Sequence, residues 1–168
     1  YLSSYIQKFN ISTDNYKNVT LLNETISKEK TINQAKIIED SQNLLLNLQS
    51  VMLAKALKTD MDTLIAKANL FKEEKLSPFS FYRYLKELAD KHLKDKISNY
   101  PNLMDFVDYL SKVNSLDSTM LFTELEDLSY EIKQKLSRNE EEKIITQALR
   151  NIKFLESFFN LKVSNEEL

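Results

Sequence analysis

The side chain best suited to acid–base chemistry in this sequence is its only histidine, His92. A catalytic triad needs a histidine beside a nucleophile and an orienting carboxylate, and no such set of partners stands out in the chain. His92 also shares an apolar helix stripe with Phe81, Leu85 and Ala89. We therefore interpret it as a core histidine whose ring nitrogens find polar partners.

Three groups of acidic residues have a helical spacing that suits cation binding. They are Asp105 with Asp108, Glu124 with Asp127, and Glu140 to Glu142. Such charge runs are usually solvated faces or helix caps. A di-iron bundle site needs Glu-x-x-His pairs on two helices, but Ala89 stands where the glutamate would precede His92. We expect no metal site and no cofactor.

Composition excludes several further activities, because the 168 residues contain no glycine and no cysteine. Phosphate-binding loops and dinucleotide fingerprints need glycine, so that the backbone can approach the anion and adopt positive φ. Without cysteine there are no disulfides, thiolate metal sites or cysteine nucleophiles, although this leaves the cellular compartment open. We expect that this region is not itself an enzyme.

The charges are balanced and interspersed along the chain. The net charge is −2, with 23 basic and 25 acidic residues. The most basic candidate helix, residues 86–96, alternates its lysines with Glu87, Asp90 and Asp95. A strong basic field is the usual mark of nucleic-acid binding, and about 20 apolar residues are needed to span a bilayer. We expect no nucleic-acid partner and no direct membrane insertion.

The stretch "SPFSFYRYL", residues 77–85, contains four aromatic residues. Helical spacing places Phe81 on the apolar side, Phe79 among charged residues on the opposite side, and Tyr84 at the boundary. Phe79 either covers a neighbouring loop or helix end, or belongs to a contact patch for a partner. The aromatic start of the chain adds further residues of this kind. The candidate partner-contact residues are Phe79, Tyr84, Tyr1, Tyr5 and Phe9.

The elements that must position these residues are helices. Sustained steps of three and four between apolar residues, with no glycine for tight hairpins, predict an all-α irregular bundle of about six or seven helices. Start signals occur at Thr31, Ser77-Pro78, Pro101 and Asn139. The helix over Ile38 to Leu57, apolar nearly all round, is expected to be central. The last helix is expected to face inward with Ile145, Leu149, Ile152, Leu155 and Phe159.

An alternative architecture is a short α-solenoid. Leu64, Ile65, Ala68 and Phe71 recur 39 residues later as Leu103, Met104, Val107 and Leu110. A period near 40 falls in the range of two-helix repeats. Only two copies occur, whereas solenoids need roughly three or more for stability.

We expect residues 1–168 to form a single helical domain, because chains of roughly 100 to 200 residues usually build one core. The chain begins with Tyr1 and ends on a capping-box spacing in "SNEEL", so we expect it to be part of a longer protein. The hypothesis for function is a non-catalytic interaction or scaffolding module for a polypeptide partner, or for another copy of itself. The alternative is an accessory helical domain of a larger enzyme whose active site lies elsewhere.

Overall fold

Every regular element in the described part of the chain is helical. The structure is a computed structural model that describes residues 2–166, apart from the side chains of residues 2, 3, 95, 158 and 160–166. The helices are α1 (Leu2–Phe9), α2 (Lys17–Glu29), α3 (Gln34–Ala54), α4 (Lys58–Lys72), α5 (Pro78–Leu93), a 3-10 helix (Lys94–Asn99), α6 (Pro101–Asn114), α7 (Ser118–Leu136) and α8 (Glu140–Glu166). The prediction of an all-α fold with about six or seven helices is confirmed.

The chain divides into two compact units. The first contains residues 1–20 and 117–168, and the second contains residues 21–116. In the alternative solenoid, each repeat is a short helix followed by a long one, so α6 and α7 would form the second repeat. These two helices fall in different units. The assignment of residues 1–168 to one domain stays a prediction.

The core of the second unit is built around α3, which contacts α4, α5 and α6. Leu44 and Leu48 of α3 are fully buried, and they belong to one cluster with Leu85 of α5 and Leu103 of α6. Burial of such side chains is the main term that offsets the entropy lost on folding. The prediction that this helix is central holds within its unit.

Two predicted helix faces are wrong. The central helix is not buried all round, since Ile38, Leu46 and Leu53 of α3 are 51%, 62% and 66% exposed. The five residues of α8 that were expected to face inward, from Ile145 to Phe159, are all about half exposed or more. The reason is that α8 contacts α7 through its polar side, which leaves its apolar side in solvent.

The core of the first unit is small. Its buried apolar residues are Ile11, Val19, Leu128 and Ile132, with Ile6, Phe9, Tyr16, Leu121 and Leu125 partly buried against them. Glu124 of α7 is buried and accepts hydrogen bonds from the Val19 N–H and the Asn18 side chain, each at 2.9 Å. This carboxylate therefore holds the first turn of α2 against α7.

Tyr16 provides a second polar contact in the first unit. Its hydroxyl donates a 2.8 Å hydrogen bond to Glu131 Oε2. Burial of the ring, followed by the hydrogen bond and charge of Glu131, raises the pKa of Tyr16 to about 12. The hydroxyl therefore remains a donor over the whole neutral range.

Besides α6, which begins at Pro101 as predicted, two helix starts follow the sequence signals. Ser77 accepts a hydrogen bond from the Ser80 N–H at 3.2 Å, and Pro78 occupies the first helical position of α5. At the start of α8, Asn139 Oδ1 accepts from the Glu142 N–H at 2.9 Å. Both predicted starts are confirmed.

The start of α3 lies two residues later than predicted. Asn33, not Thr31, caps the helix, and its side chain accepts from the Lys36 N–H at 3.2 Å. The Thr31 hydroxyl instead donates to the Lys28 carbonyl at 2.7 Å and so satisfies the end of α2.

Among the described residues, four helices are followed by a residue that has positive φ and is not glycine. Asn10, Ala56, Glu74 and Lys94 have φ values of 48°, 53°, 58° and 45°. After α3, the Leu57 N–H bonds to the Met52 carbonyl and the Ala56 N–H bonds to the Leu53 carbonyl, which is the Schellman pattern. Because a Cβ atom clashes with the backbone in this conformation, each such end is strained by about 1–2 kcal/mol.

Relief of this strain gives a first prediction. Ala56→Gly should raise the free energy of unfolding by about 0.5–1 kcal/mol, because removal of the Cβ clash outweighs the added freedom of the unfolded chain. Lys55→Gly is the matched control, since Lys55 has a φ of −97° and gains nothing from glycine. Urea unfolding followed by circular dichroism measures both. A destabilised Ala56→Gly protein would contradict the proposed strain.

The position of Leu48 gives a second prediction. Leu48→Ala should destabilise the chain by about 2–5 kcal/mol, because the side chain is fully buried and the cavity cannot fill completely. Leu46→Ala, two residues away and largely exposed, should change stability by less than about 0.5 kcal/mol. Equal losses in the two variants, measured by denaturant unfolding, would show that the face of α3 has been assigned incorrectly.

Candidate functional site

The two faces of α5 separate core residues from candidate contact residues. Phe81, Leu85 and Leu88 are buried. Phe79 and Tyr84 are partly exposed; Phe79 lies on the side of the helix turned away from those core residues, whereas Tyr84 lies at the boundary and packs partly against the core. The cap at Ser77 fixes where α5 begins, and the burial of Phe81, Leu85 and Leu88 fixes which face of the helix is turned toward the core.

A shallow cleft lies between α4 and α5, with a volume of about 190 Å³. Lys67 of α4 lines one side, and α5 supplies Phe79, Ser80, Arg83, Tyr84 and Glu87. The structure thus places the predicted residues Phe79 and Tyr84 at the same cleft. Steps of three and four along α5 put these side chains in adjacent rows.

A cationic side chain lies beside each aromatic ring of the cleft. The Lys67 ammonium lies 4.9 Å from the centre of the Tyr84 ring, and the Arg83 guanidinium carbon lies 5.9 Å from the centre of the Phe79 ring. Arg83 is also paired with Glu87 at 2.9 Å. Lys67 has no carboxylate of the described residues within 4.0 Å. Arg83 and Glu87 balance each other, so the Lys67 ammonium gives the lining of the cleft a net charge of +1.

The Tyr84 hydroxyl stays protonated at neutral pH. Burial raises the pKa of Tyr84, and the nearby Asp60 carboxylate raises it further. A neutral tyrosine offers both a donor and an acceptor at the rim of an apolar ring. The cleft therefore combines two aromatic rings, the Tyr84 hydroxyl and the Lys67 ammonium, which has no carboxylate partner among the described residues.

Two of the other predicted contact residues, Tyr5 and Phe9, lie in the first unit. Tyr5 is 36% exposed and stacks on Phe9 with ring centres 6.3 Å apart. Phe9 packs partly against the small core that contains Ile11. Tyr1 lies outside the described residues. Of the four described residues, Tyr5 and Phe9 therefore stack on each other in the first unit, and Phe79 and Tyr84 line one cleft in the second unit.

His92 has a structural partner in α4. Its side chain is buried, and its Nε2 atom lies 2.7 Å from Oδ2 of Asp60. Lys91 binds the same carboxylate at 2.8 Å. Lys91 first, and then His92, hold the pKa of Asp60 below its ordinary value. The cluster ties the first turn of α4 to the last turn of α5.

The acidic groups singled out from the sequence have basic or backbone partners. Lys28 reaches Asp105 at 3.4 Å and Asp108 at 2.5 Å, which raises the pKa of Lys28 and lowers that of Asp108. Asp127 pairs with Arg150. Among the residues that the structure describes, no three acidic or histidine side chains converge as metal ligands.

Sequence reasoning missed Lys67 and Asp60 as members of these clusters. Both residues are on α4, while their partners are on α5, so no local spacing connects them. The pairing of Arg83 with Glu87 does have a local signal, because residues four apart on a helix are neighbours.

Comparison with known proteins identifies no relative of this chain. No protein-family model, curated protein or solved structure matches this chain. Between residues 2 and 166, no helix is long and apolar enough to cross a bilayer.

The Asp60 cluster gives a third prediction. Because folding lowers the pKa of Asp60 below 3.8, its contribution to stability is present above that pH and is lost as the pH falls through the lower folded value. The acid limb is the fall in the free energy of unfolding as the pH decreases from about 5 to about 2. Asp60→Asn should therefore make this fall less steep. Unfolding in urea at a series of pH values measures this effect.

Asp62→Asn is the matched control for the third prediction. Asp62 lies two residues further along α4 and is exposed. Its replacement should leave the shape of the pH profile unchanged. An acid limb that stays equally steep in Asp60→Asn would contradict the assignment of the cluster.

Proposed function

We propose that this chain is a non-catalytic protein-interaction module that binds a polypeptide segment at the cleft of Phe79 and Tyr84. The observation that carries this proposal is the position of both rings at one open cleft, each beside a cation. Partly exposed aromatic residues are the usual anchors of protein interfaces. Holding them on a capped, packed helix reduces the ordering cost of binding.

The size and charge of the cleft favour a particular kind of segment. Small-molecule sites typically enclose about 300–1,000 Å³, so a volume of about 190 Å³ suits a single inserted side chain better than a whole ligand. The apolar rings suit an aliphatic or aromatic side chain. Because Lys67 has no acidic partner among the described residues, a carboxylate close to that side chain would be favoured. The preferred partner is therefore a segment that carries an apolar residue beside an acidic one.

A non-catalytic role is part of the same proposal. Catalysis depends on polar groups that converge in a cleft with shifted pKa values, whereas the ring of His92 is buried against Asp60. The alternative, an accessory helical domain of a larger enzyme, would use the same cleft to dock against its neighbouring domain. Turnover of a substrate by the 168-residue chain would contradict a non-catalytic role.

Nucleic acid is not the proposed partner. The net charge of −2 supplies no extended basic field. The one excess positive charge at the cleft, from Lys67, is far fewer than the phosphate contacts of typical nucleic-acid binders. Polypeptide binding here should therefore depend only weakly on salt.

A fourth prediction tests the cleft with a displayed library of random peptides. Peptides selected on the wild-type chain should be enriched in an acidic residue next to an apolar one. Their affinity should fall by at least about tenfold in Phe79→Ala, because a buried aromatic anchor contributes about 2 kcal/mol or more. Raising the salt from about 0.1 M to 0.5 M should reduce affinity only a few-fold.

The control is Phe122→Ala. Phe122 lies on α7, is 68% exposed, and is not among the residues that line the cleft. Its removal should leave peptide affinity unchanged. Selected peptides that bind Phe79→Ala and wild type equally well, or a library that yields no binder, would overturn the proposed function.

A further inference from the structure

Helix α8 packs on α7 through polar side chains. Arg150 pairs with Asp127, and its guanidinium carbon lies 4.4 Å from the centre of the Tyr130 ring. The Tyr130 hydroxyl donates a hydrogen bond to Gln147. One turn earlier, the Lys143 carbonyl accepts from Gln134 at 3.2 Å. Residues 143, 147 and 150 follow one another by steps of four and three, so they form one line along α8.

The opposite side of α8 is an exposed apolar stripe. We use the name α8 stripe for the following residues, which are between 49% and 67% exposed: Ile144, Ile145, Leu149, Ile152, Leu155 and Phe159. A helix on the surface of a globular protein normally turns its apolar side toward the core. In α8 the orientation is reversed, because polar residues make the contact with α7.

The α8 stripe is large enough for an interface between two copies. At about 150 Å² for each large side chain when fully exposed, it presents roughly 500 Å² of apolar surface. That is near the upper end of what monomers usually expose, about 300–600 Å². An identical stripe laid against it would bury about 1,000 Å² in total, which is the lower limit for a specific interface.

The sequence of α8 fits pairing with itself in parallel. Written as heptads abcdefg, Ile145, Ile152 and Phe159 occupy a positions, and Ala148 and Leu155 occupy d positions. Isoleucine at a with leucine at d favours parallel two-stranded pairs. In such a pair each of these apolar residues faces its own counterpart, so the seam is apolar from residue 145 to residue 159, and Glu141 at the preceding d position lies at its N-terminal end.

The charges beside the seam also favour the parallel arrangement. In a parallel pair, Asn151 at g lies across from Glu156 at e of the other copy, where an amide can donate to the carboxylate. In an antiparallel pair that sets Ile145 against Leu155, the ring of each Phe159 would face a charged Glu141. In the parallel pair the two Phe159 rings face each other, and the two Glu141 carboxylates lie in the exposed first turn of α8. The net charge of −2 per copy is too small for strong mutual repulsion.

We propose that the α8 stripe binds the α8 stripe of a second copy of this chain, with the two helices parallel and in register. The two-fold axis of such a pair runs along the seam, and each copy offers the same surface to the other. The association uses a surface separate from the cleft of Phe79 and Tyr84. Its success or failure is therefore independent of the proposed peptide binding.

Sedimentation velocity of the 168-residue chain tests the proposal between about 1 µM and 1 mM. We expect a reversible dimer whose dissociation constant rises at least about 100-fold in Leu155→Asp, because a charge would be buried in the seam. The matched control is Phe154→Asp. Phe154 neighbours Leu155 and is 71% exposed, but it lies at a c position outside the stripe. This control should keep the wild-type constant within about threefold.

Circular dichroism establishes that both variants keep the wild-type helix content, which is expected because both positions are exposed. A wild-type chain that remains monomeric throughout the range would overturn the proposal, whether or not it binds vesicles or another polypeptide through the stripe. A dimer that persists unchanged in Leu155→Asp would overturn it as well, because association would then use another surface.

The parallel register has its own test, because the chain contains no natural cysteine. In the proposed pair, the two copies of residue 145 face each other at a Cα separation of about 6 Å, which a disulfide spans, whereas the antiparallel pair sets them about ten residues apart along the helices. Ile145→Cys should therefore form a covalent dimer under mild oxidation much faster than Phe154→Cys. Equal rates of cross-linking in the two variants would overturn the parallel arrangement.

Discussion

The constraint on which this architecture depends is that every chain reversal is made without glycine. Helices normally end most easily in a left-handed glycine, because any other residue brings a Cβ atom against the backbone. Here Asn10, Ala56 and Glu74 adopt that conformation. They are held in it by paired backbone hydrogen bonds and, after α1 and α3, by packing of the following apolar residue, Ile11 or Leu57. Tertiary packing thus supports turns that local propensity disfavours.

The same constraint connects the core to the candidate site. The turn through Glu74 brings α5 back beside α4, and the cap at Ser77 sets where α5 begins. Burial of Leu85 and Leu88 then leaves Phe79 and Arg83 facing outward, with Tyr84 at the edge of the core beside Lys67. The Asp60 carboxylate, bound by Lys91 and His92, joins the other ends of the two helices. The cleft is therefore held by contacts at both ends of the helix pair.

The sequence predicts which segments are helical better than it predicts what each helix contacts. Ser77, Pro78 and Asn139 mark helix starts because capping is a local interaction. Periodicity also identifies Leu48 and Leu85 as apolar face residues, and both are buried. The spacing of apolar residues shows that a helix has an apolar face, but it does not show which element that face contacts. That is why the α8 residues expected to face inward are exposed, and why the contact of Asp60 with His92, 32 residues away, had no signal in the sequence.

The first unit has an unusual distribution of apolar surface, which bears on the proposed association. Four apolar side chains are buried in its core, whereas six large ones lie in the exposed α8 stripe. A small core offsets little of the entropy lost on folding, so such units commonly gain stability from an additional interface. Any partner that binds the folded α8 stabilises it by mass action. If a second copy is that partner, the stability of the first unit depends on protein concentration, whereas the core of the second unit, which excludes the stripe, is stabilised within a single chain.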